Sequence, residues 1–415
     1  MSALVGVEEY RTHILGHVRT LPSETLAVAE AHGRTLAEPL RARVDIPVFD
    51  NSAMDGFAVR FADVHAATAD APARLRVVAD LPAGTALDPA IGANEAARIM
   101  TGSPVPSTAD AIVPFEDTAG GLEDSLGEIV VLRAPRALGA HIRRRGADAV
   151  VGDVLLAAGH VLNARQLAAA AAAGIDDVVV STRPRVAVVS TGSELVRPGE
   201  PLAHGQIPES NSELLAGLVV EAGGDVVLRR TVPDEGDGPR QAIDDALALG
   251  AHVVVFSGGV SAGAYEVVKS TLGGVMDFRS VGMQPGKPQG FGATPQGVLL
   301  FGLPGNPVSA AVSFEVFLRP ALLALQGRTT LDRPTLRLPA ATPWRTPPGR
   351  RQYLPAAIDR SDPTAWTVAP ATSGGSGSHL PGGLARADAY AVVDADVDAV
   401  EPGDLVDVLL ITMEG

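Results

Sequence analysis

The sequence predicts a multidomain protein of the α/β plus β class, built around a doubly wound sheet of parallel type. Three aliphatic runs each end directly in Ser, Gly or Pro, within residues 185–195, 251–263 and 297–310. Helical patterns lie between and after these runs, which is typical of a parallel sheet covered on both faces. Residues 74–135 and 328–413 instead carry short apolar runs broken by Pro, Gly and Asp, which indicates two small β domains.

Helices are predicted where apolar residues recur at helical spacing. These helices lie at residues 5–20, 23–33, 209–222, 238–249, 262–272 and 307–325, with an alanine-rich helix at 167–175. Pro307 fits the first turn of the last long helix, where its missing N–H removes no hydrogen bond. A chain of 415 residues is too long for one hydrophobic core, so two to four domains are expected.

Composition excludes several classes of protein. With a net charge of −15, the chain has no basic stripe for phosphates, so nucleic acid is not an expected partner. It contains no cysteine, which excludes disulfides and thiolate chemistry. The N-terminus lacks the apolar run of a signal peptide, and no apolar stretch looks long and clean enough to span a membrane. We therefore expect a soluble, cytoplasmic protein.

Lysine usage points to anion chemistry. Only two of the 33 basic residues are lysines, Lys269 and Lys287, and both lie beside glycine-rich segments. Lysine is a compact point charge whereas arginine is a broad planar fork, so a narrow oxyanion site can require lysine. Codon bias is the alternative, and it is weaker for Lys287 because the sequence PGKP holds that ammonium on a rigid loop.

Glycine-rich loops follow the three predicted strands. Ligands of open α/β sheets bind beyond the carboxyl ends of the strands, where free backbone N–H groups cradle anions. Glycine in such loops also simply permits a tight turn, but three loops on one sheet favour a binding site. The residues predicted to bind substrate in these loops are Ser257, Gly258, Gly259, Ser261, Pro304, Gly305, Asn306 and Pro307, together with Pro285 and Gly286 of the PGKP segment.

Carboxylates recur at loop positions, namely Asp50, Asp55, Asp148, Glu194, Asp234 and Glu266. Most acidic residues of an acidic protein are simply solvated. Asp55 and Glu194 stand out because each lies in a turn of small residues beside apolar runs. Carboxylates next to a phosphate-binding loop are what Mg²⁺ requires.

The segment GVSAG at 259–263 also matches the nucleophile elbow of α/β hydrolases. A triad in the usual order needs a histidine after Ser261, and His379 is the only one, in a separate β-like region. No oxyanion segment of the HGGG type is present. A serine hydrolase is therefore a minor alternative.

Taken together, the motifs resemble one family over nearly the whole chain, residues 5 to 413. They are DNSAMDGFAV, RIMTGSPVPSTADAIVPFED, IRRRGAD, STGSEL, IPESNSELL, SGGVSAG, PGKP and GLPGNPVSA, in this order. The chain resembles the molybdopterin molybdenumtransferases, the molybdenum insertases of the MoeA and gephyrin E-domain type.

The resemblance implies four domains. They are an α/β molybdopterin-binding domain (1–25 plus 180–326), an elongated linker and dimerisation domain (26–46 plus 145–179), a β insert (47–144) and a C-terminal β-barrel-like domain (327–415). It also implies a homodimer with the active cleft between protomers. The implied reaction inserts molybdate into the dithiolene of adenylylated molybdopterin, assisted by Mg²⁺ or a similar divalent ion, and releases AMP. Further implied partners are the adenylyltransferase that supplies the substrate and the molybdoenzymes that accept the cofactor.

Matching the family motifs assigns functional positions. The catalytic positions are Asp55, Thr101, Glu194, Asp234, Glu266 and Lys287, with Glu194 and Asp234 also as metal ligands; Asp148, Arg350 and Ser378 match as substrate-binding positions with less sequence support. Two residues depart from the pattern. Glu266 stands where many relatives have aspartate, and Gln284 stands where some have a second lysine. Arg350 or the run 143–145 is expected to supply the missing charge.

Two alternatives remain open. A molybdopterin adenylyltransferase shares the SGG and LPGNP motifs, but not DNSAMDG and RIMTG. A non-catalytic scaffold would use the dimeric fold to bind a peptide, and the intact acidic motifs argue against it.

Overall fold

The computed structural model describes residues 4–122, 126–260, 266–372 and 381–411. The helices are α1 Val7–Leu15, α2 Phe61–Val64, α3 Ala164–Ala172, α4 Asn211–Glu221, α5 Gly238–Ala248, α6 Val267–Leu272, α7 Pro307–Ser313, α8 Arg319–Leu325 and α9 Pro381–Leu384. The strands up to residue 181 are β1 Ser23–Ala27, β2 Leu40–Arg41, β3 Asn51–Ser52, β4 Gly56–Val59, β5 Ala73–Leu81, β6 Glu95–Ile99, β7 Ala111–Pro114, β8 Thr118–Ala119, β9 Glu128–Val131, β10 Ile142–Arg143, β11 Val154–Leu156 and β12 Asp177–Ser181. The later strands are β13 Arg185–Thr191, β14 Leu195–Val196, β15 Ile207–Pro208, β16 Asp225–Val232, β17 Val253–Ser257, β18 Met276–Ser280, β19 Met283–Gln284, β20 Pro288–Ala293, β21 Leu299–Leu303, β22 Thr335–Pro339, β23 Trp344–Arg345, β24 Arg351–Asp359, β25 Thr367–Pro370, β26 Ala389–Val393, β27 Ala399–Val400 and β28 Leu405–Leu410.

The central sheet has the strand order β16–β13–β17–β21–β20–β18. The first four strands pair in parallel, as the three aliphatic runs predicted. The remaining two, β20 and β18, pair antiparallel and extend one edge. The sheet is therefore mixed, with a parallel half that aligns the carboxyl ends of β13, β17 and β21.

Helices cover both faces of this sheet, which confirms the doubly wound arrangement. Alternate residues of each strand belong to different cores because successive side chains point to opposite faces. Val186 and Val188 pack with α1, α4, α7 and α8, whereas Ala187 and Val189 pack with α5 and α6. Most predicted helices are found, with bounds that differ by a few residues.

Helices α7 and α8 are joined by a π-helical turn at Phe314–Leu318. The whole stretch Pro307–Leu325, which was predicted as a helix, has the length and composition of a membrane-spanning helix. The expectation that no apolar stretch is long and clean enough for this is therefore wrong by length and composition. Of its apolar window, 83% is buried inside the protein, so it packs here as a core helix.

The predicted helix at 23–33 is wrong. Residues Ser23–Ala27 form β1, which pairs antiparallel with β12. A short 3-10 turn follows at Val28–Glu30. The apolar spacing of this segment was read with a period of 3.6, but pairing to a distant strand supplies its hydrogen bonds.

Two further six-stranded sheets flank the centre. One has the order β7–β4–β6–β5–β9–β8 and buries apolar side chains on both faces. The other has the order β19–β24–β26–β28–β22, with β25 paired to β24. Between the central and first sheets lie the short pairs β1–β12 and β2–β11, which pack with α3 around a separate core.

Strand β19 connects the central unit to the C-terminal sheet. Met283 and Gln284 belong to a loop of the central unit, yet they pair in parallel with Arg351 and Gln352. The Arg351 N–H also donates to the Gly282 carbonyl at 3.0 Å. The loop that carries Lys287 is thus held both by the central unit and by the C-terminal sheet.

Candidate functional site

A cleft of about 540 Å³ lies at the carboxyl ends of the parallel strands. It collects segments that follow β13, β17 and β21, together with the loop after β19. The predicted site residues that line it are Glu194, Asp234, Ser257, Gly258, Gly259, Glu266, Pro285, Gly286, Lys287, Pro304, Gly305, Asn306 and Pro307. The strand-end rule therefore places most of the predicted site in one cleft.

Two glycines show why the loops need this residue. Gly258 has φ +96°, and a Cβ there would lie 2.6 Å from the Thr191 Oγ1. Gly286 has φ +104° and faces Ser313 and Met283 at close range. Both conformations are disfavoured for residues with a Cβ, so these glycines allow loops to pack against each other at the cleft wall.

The carboxylates of Glu194 and Asp234 both line the cleft. Asp234 Oδ2 accepts the Ser193 N–H at 2.8 Å, and the Asp234 N–H donates to Ser193 Oγ at 3.2 Å. Gly192 has φ +154°, and a Cβ there would lie 2.7 Å from Glu194 Oε2, so the glycine leaves room for that carboxylate to fold back. The STGSEL turn thereby brings two carboxylates to one wall.

Lys287 lies on an ordered loop with an exposed side chain. Its carbonyl accepts the Val281 N–H at 2.7 Å. Gln289 Nε2 donates to the Gly286 carbonyl and to Ser313 Oγ, both at 2.7 Å, which fixes the neighbouring turn. Across the described ranges no carboxylate pairs with Lys287, so its ammonium is available to an anion. Lys269 is exposed on α6 and is absent from the cleft lining.

A second cation is held at the rim of the cleft. Arg350 Nη1 donates to Gln284 Oε1 at 2.6 Å, and Gln284 lines the cleft. Two arginines of the 143–145 run are engaged elsewhere: Arg144 pairs with Asp50 at 2.5 Å, and Arg145 pairs with Asp45. Of the two sources of charge expected from the sequence, the geometry thus favours Arg350.

Asp55 and Thr101 form a separate pair in the first flanking sheet. The Thr101 N–H donates to Asp55 Oδ1 at 2.7 Å. This bond and one from the Thr101 hydroxyl lower the pKa of Asp55 below its ordinary value. Neither residue lines the cleft of its own chain.

Another predicted residue, Asp148, also lies outside the cleft lining. Asp148 is exposed, and its N–H donates to the Ile46 carbonyl at 2.9 Å. Ser261 and Ser378 lie outside the described residues, as does His379 of the hydrolase alternative.

The sequence analysis missed several polar residues of the cleft wall, namely Thr191, Glu209, Ser210, Asn211 and Ser309. Glu209 is 5% exposed and Asn211 is 9% exposed. The signal was present in the motif IPESNSELL, where polar residues open an apolar helix. Its polar start was included in the predicted helix at 209–222 and in the family motifs, but not among the site residues.

The donor set fits a magnesium ion only in part. Within the described ranges, no group of three or more His, Cys, Asp or Glu side chains is arranged to hold a metal. Mg²⁺, however, is commonly bound by one or two carboxylates together with waters and substrate phosphates. Glu194 and Asp234 supply that minimum and leave the remaining positions to the substrate.

Three family models match the chain in succession. They are the MoeA N-terminal region (domain I and II) at residues 5–174, a probable molybdopterin binding domain at 187–324 and the MoeA C-terminal region (domain IV) at 337–411. Together they span most of the sequence, and they agree with the motif resemblance.

Similar proteins carry the same name. Molybdopterin molybdenumtransferase 2 of Mycobacterium tuberculosis is 41% identical over 408 residues, covering 96% of this chain and 97% of the relative. Molybdopterin molybdenumtransferase of a Nostoc species is 40% identical over 310 residues, covering 74% and 70%. A molybdopterin biosynthesis MoeA protein of Pyrococcus horikoshii superposes with a TM-score of 0.84 at 27% identity, covering 98% of this chain and 100% of that structure. The chain therefore belongs to the MoeA family, whose curated relatives here are named molybdopterin molybdenumtransferases.

Proposed function

We propose that this chain inserts molybdate into the dithiolene of adenylylated molybdopterin and releases AMP with the help of Mg²⁺. One observation carries the proposal: the cleft combines an unpaired ammonium, Lys287, with the carboxylates Glu194 and Asp234 among glycine-rich loops. This combination suits a phosphate-bearing substrate that reacts with a second substrate, a tetrahedral oxyanion.

The cation side of the cleft supports molybdate binding. Molybdate is a dianion, and charge-assisted hydrogen bonds to oxyanions are stronger than neutral ones. Lys287 is free of carboxylates, and Arg350 stands beside Gln284 at the rim. These two groups would hold the oxyanion, and a loop N–H group such as that of Gly259 would face phosphate.

The carboxylate side supports phosphate chemistry. Glu194 and Asp234 would hold the divalent ion, which when bound neutralises charge on the phosphates. The carboxylates themselves orient that end of the substrate, and Ser193 fixes the Asp234 carboxylate through its N–H.

The two half-reactions balance. Insertion into the dithiol form makes two Mo–S bonds, and the two thiol protons leave with one oxo group as water. Cleavage of the phosphoanhydride consumes one water and gives molybdopterin phosphate and AMP. A group that passes protons to the departing oxo group would assist the first step, and the carboxyl of Glu266 at the cleft wall is our candidate.

A homodimer is part of the proposal. The junction of the linker region with the first flanking sheet exposes Val48, Phe49, Val150 and Val151. Exposed apolar side chains that lie together are typical of interfaces between subunits. A second copy seated there would let the Asp55–Thr101 pair of one protomer serve the cleft of the other.

The four-domain division and a cytoplasmic location are also proposals. So are the expected protein partners, namely the adenylyltransferase that supplies the substrate and the molybdoenzymes that receive the cofactor.

The test is molybdate-dependent AMP release. Purified protein is mixed with adenylylated molybdopterin and Mg²⁺, with and without molybdate, and AMP and pterin-bound molybdenum are both quantified. We expect both products only in the complete mixture. A folded protein that yields neither product would contradict the proposal. Consumption of ATP with molybdopterin would favour the adenylyltransferase, although the matches to the MoeA N-terminal and C-terminal regions argue against it.

A further inference from the structure

The start of α4 connects the ends of three neighbouring strands. Glu209 and Asn211, which we call the strand-end bridge, lie at the carboxyl edge of the central sheet and line the cleft. Ser190 Oγ, near the end of β13, donates to Glu209 Oε1 at 2.8 Å. The Ser212 N–H donates to the same oxygen at 2.9 Å, so Glu209 also satisfies an otherwise free donor in the first turn of α4.

Asn211 continues the connection to the other two strands. Its Nδ2 donates to Ser257 Oγ, at the end of β17, at 2.7 Å. The same nitrogen donates to the Gly305 carbonyl, just beyond β21, at 2.6 Å. One amide group therefore uses both of its N–H bonds to join the SGG loop to the LPGN loop.

The two joined loops are also in direct contact. The Gly258 N–H donates to the Leu303 carbonyl at 3.0 Å, and a Cβ on Gly305 would lie 3.4 Å from the Gly258 Cα. Asn211 thus closes a small, tightly packed unit rather than spanning open space. A loop pair with this geometry presents its N–H groups at fixed separation.

Burial of the Asn211 side chain lowers the stability of the folded protein, which indicates that the side chain has such a role. It is 9% exposed, and its Oδ1 is buried with no hydrogen-bond donor in the part of the chain that the structure describes. A buried polar atom without a partner destabilises the folded state. An alanine at this position would avoid that cost, but it would leave the two loops without their common donor.

We propose that Asn211 is a positioning residue for the insertion reaction, setting the separation of the SGG and LPGN loops on which the pterin substrate is bound. The inference rests on the proposed function for its substrate. Within the strand-end bridge, Glu209 holds the start of α4 to β13. Asn211 then fixes the two loops relative to α4. Asn211 acts through Ser257 and Gly305, and not by contact with the reacting atoms.

The first experiment compares Asn211→Ala and Asn211→Asp with the wild-type protein. Asn211→Asp keeps the shape of the side chain but places a carboxylate oxygen against the Gly305 carbonyl, so it should be at least as harmful as Asn211→Ala. We expect KM for adenylylated molybdopterin to rise about tenfold or more in both, with a smaller change in kcat. Glu213→Gln is the matched control because Glu213 is exposed on the same helix and pairs with Arg229 at the surface. Unchanged KM in folded Asn211 variants would overturn the proposal.

A double-mutant cycle separates positioning from general damage. If Asn211 acts through Ser257, then Asn211→Ala should raise KM less in a Ser257→Ala background than in the wild type. Fully additive effects would contradict this. If Asn211→Ala does not fold, Asn211→Ser, which is too short to reach both loops, takes its place.

A measurement that does not depend on turnover tests this inference independently of the proposed function. Hydrogen–deuterium exchange is followed in peptides that cover residues 257–260 and 303–307. We expect faster exchange in both peptides of Asn211→Ala and no change in Glu213→Gln. A wild-type protein without insertion activity would refute the proposed function, while unchanged exchange in Asn211→Ala would refute the role of Asn211.

Discussion

The cleft of the central sheet and the Asp55–Thr101 pair of the flanking sheet were assigned by the same motif resemblance, yet they differ in completeness. In the cleft, segments from six parts of the chain bring a cation, carboxylates and glycine loops together. The Asp55–Thr101 pair has a short hydrogen bond and a lowered carboxyl pKa but lines no part of that cleft. One region assembles within a single chain, whereas we propose that a second copy of the chain completes the other.

The physical reason lies in topology. Parallel strands align their carboxyl ends, so residues far apart in sequence meet without any partner chain. β4, which follows Asp55, pairs with β6 and β7 in antiparallel fashion, and such a sheet has no common edge of this kind. In the proposed homodimer, a functional residue of that sheet would gain further surroundings from the second copy.

The largest effect is expected at Lys287, the cleft cation that pairs with no carboxylate among the residues that the structure describes. Lys287→Ala should lower molybdate-dependent AMP release about 100-fold, since removal of a charge-stabilising group from an active site typically costs that much. Lys287→Arg should recover only part of the loss because the planar guanidinium does not fit as a point charge. Steady-state rates at several molybdate concentrations measure both.

Lys269→Ala is the matched control for this change. It removes the other lysine of the chain, which is exposed on α6 outside the cleft lining. We expect no change in rate. An equal loss in both variants would mean that overall charge, rather than the position of Lys287, matters.

Mixed dimers test whether the Asp55 fragment completes the cleft of a partner. Asp55→Asn and Lys287→Ala should each be nearly inactive alone. If the two groups act across the interface, random mixing after unfolding and refolding restores one intact site in half of the dimers, about a quarter of wild-type activity. If they act within one chain, mixing restores nothing.

The rim of the cleft should show a moderate effect. Gln284→Glu keeps an acceptor for Arg350 but adds a negative charge beside the oxyanion, so KM for molybdate should rise about tenfold. Gln284→Ala only removes the hydrogen-bond acceptor of Arg350. KM for molybdate is therefore expected to rise about threefold, which corresponds to one hydrogen bond. The order of the two variants is the decisive result, because a purely structural Gln284 would make the alanine the more harmful change.

Sequence patterns predicted the loops that line the cleft better than the side chains that hold those loops in place. Glycine loops after aliphatic runs were enough to place Ser257, Gly258 and Gly305, because strand ends of a parallel sheet meet at one edge. Lys287 was instead singled out by lysine usage and the PGKP segment. Asn211 and Glu209 were missed because their contacts are long-range side-chain hydrogen bonds that no local period encodes. The same limit explains the error at residues 23–33, where pairing with β12 overrode the helical spacing.

The smallest effect concerns the Asp55 carboxyl itself. Thr101→Val removes the hydroxyl bond but keeps the backbone N–H bond, so the pKa of Asp55 should move part of the way back toward the ordinary carboxyl value. Because the folded pKa is depressed, the stabilisation from this group exists above the ordinary pKa and is lost as pH falls through the folded pKa. An NMR titration of labelled aspartate carboxyls measures the shift. Asp88, whose pKa is lowered by Ser107 in the same way, is the internal control and should not move. An Asp55 midpoint at or above the ordinary value in the wild type would show that the Thr101 contacts do not hold the carboxylate in its charged form.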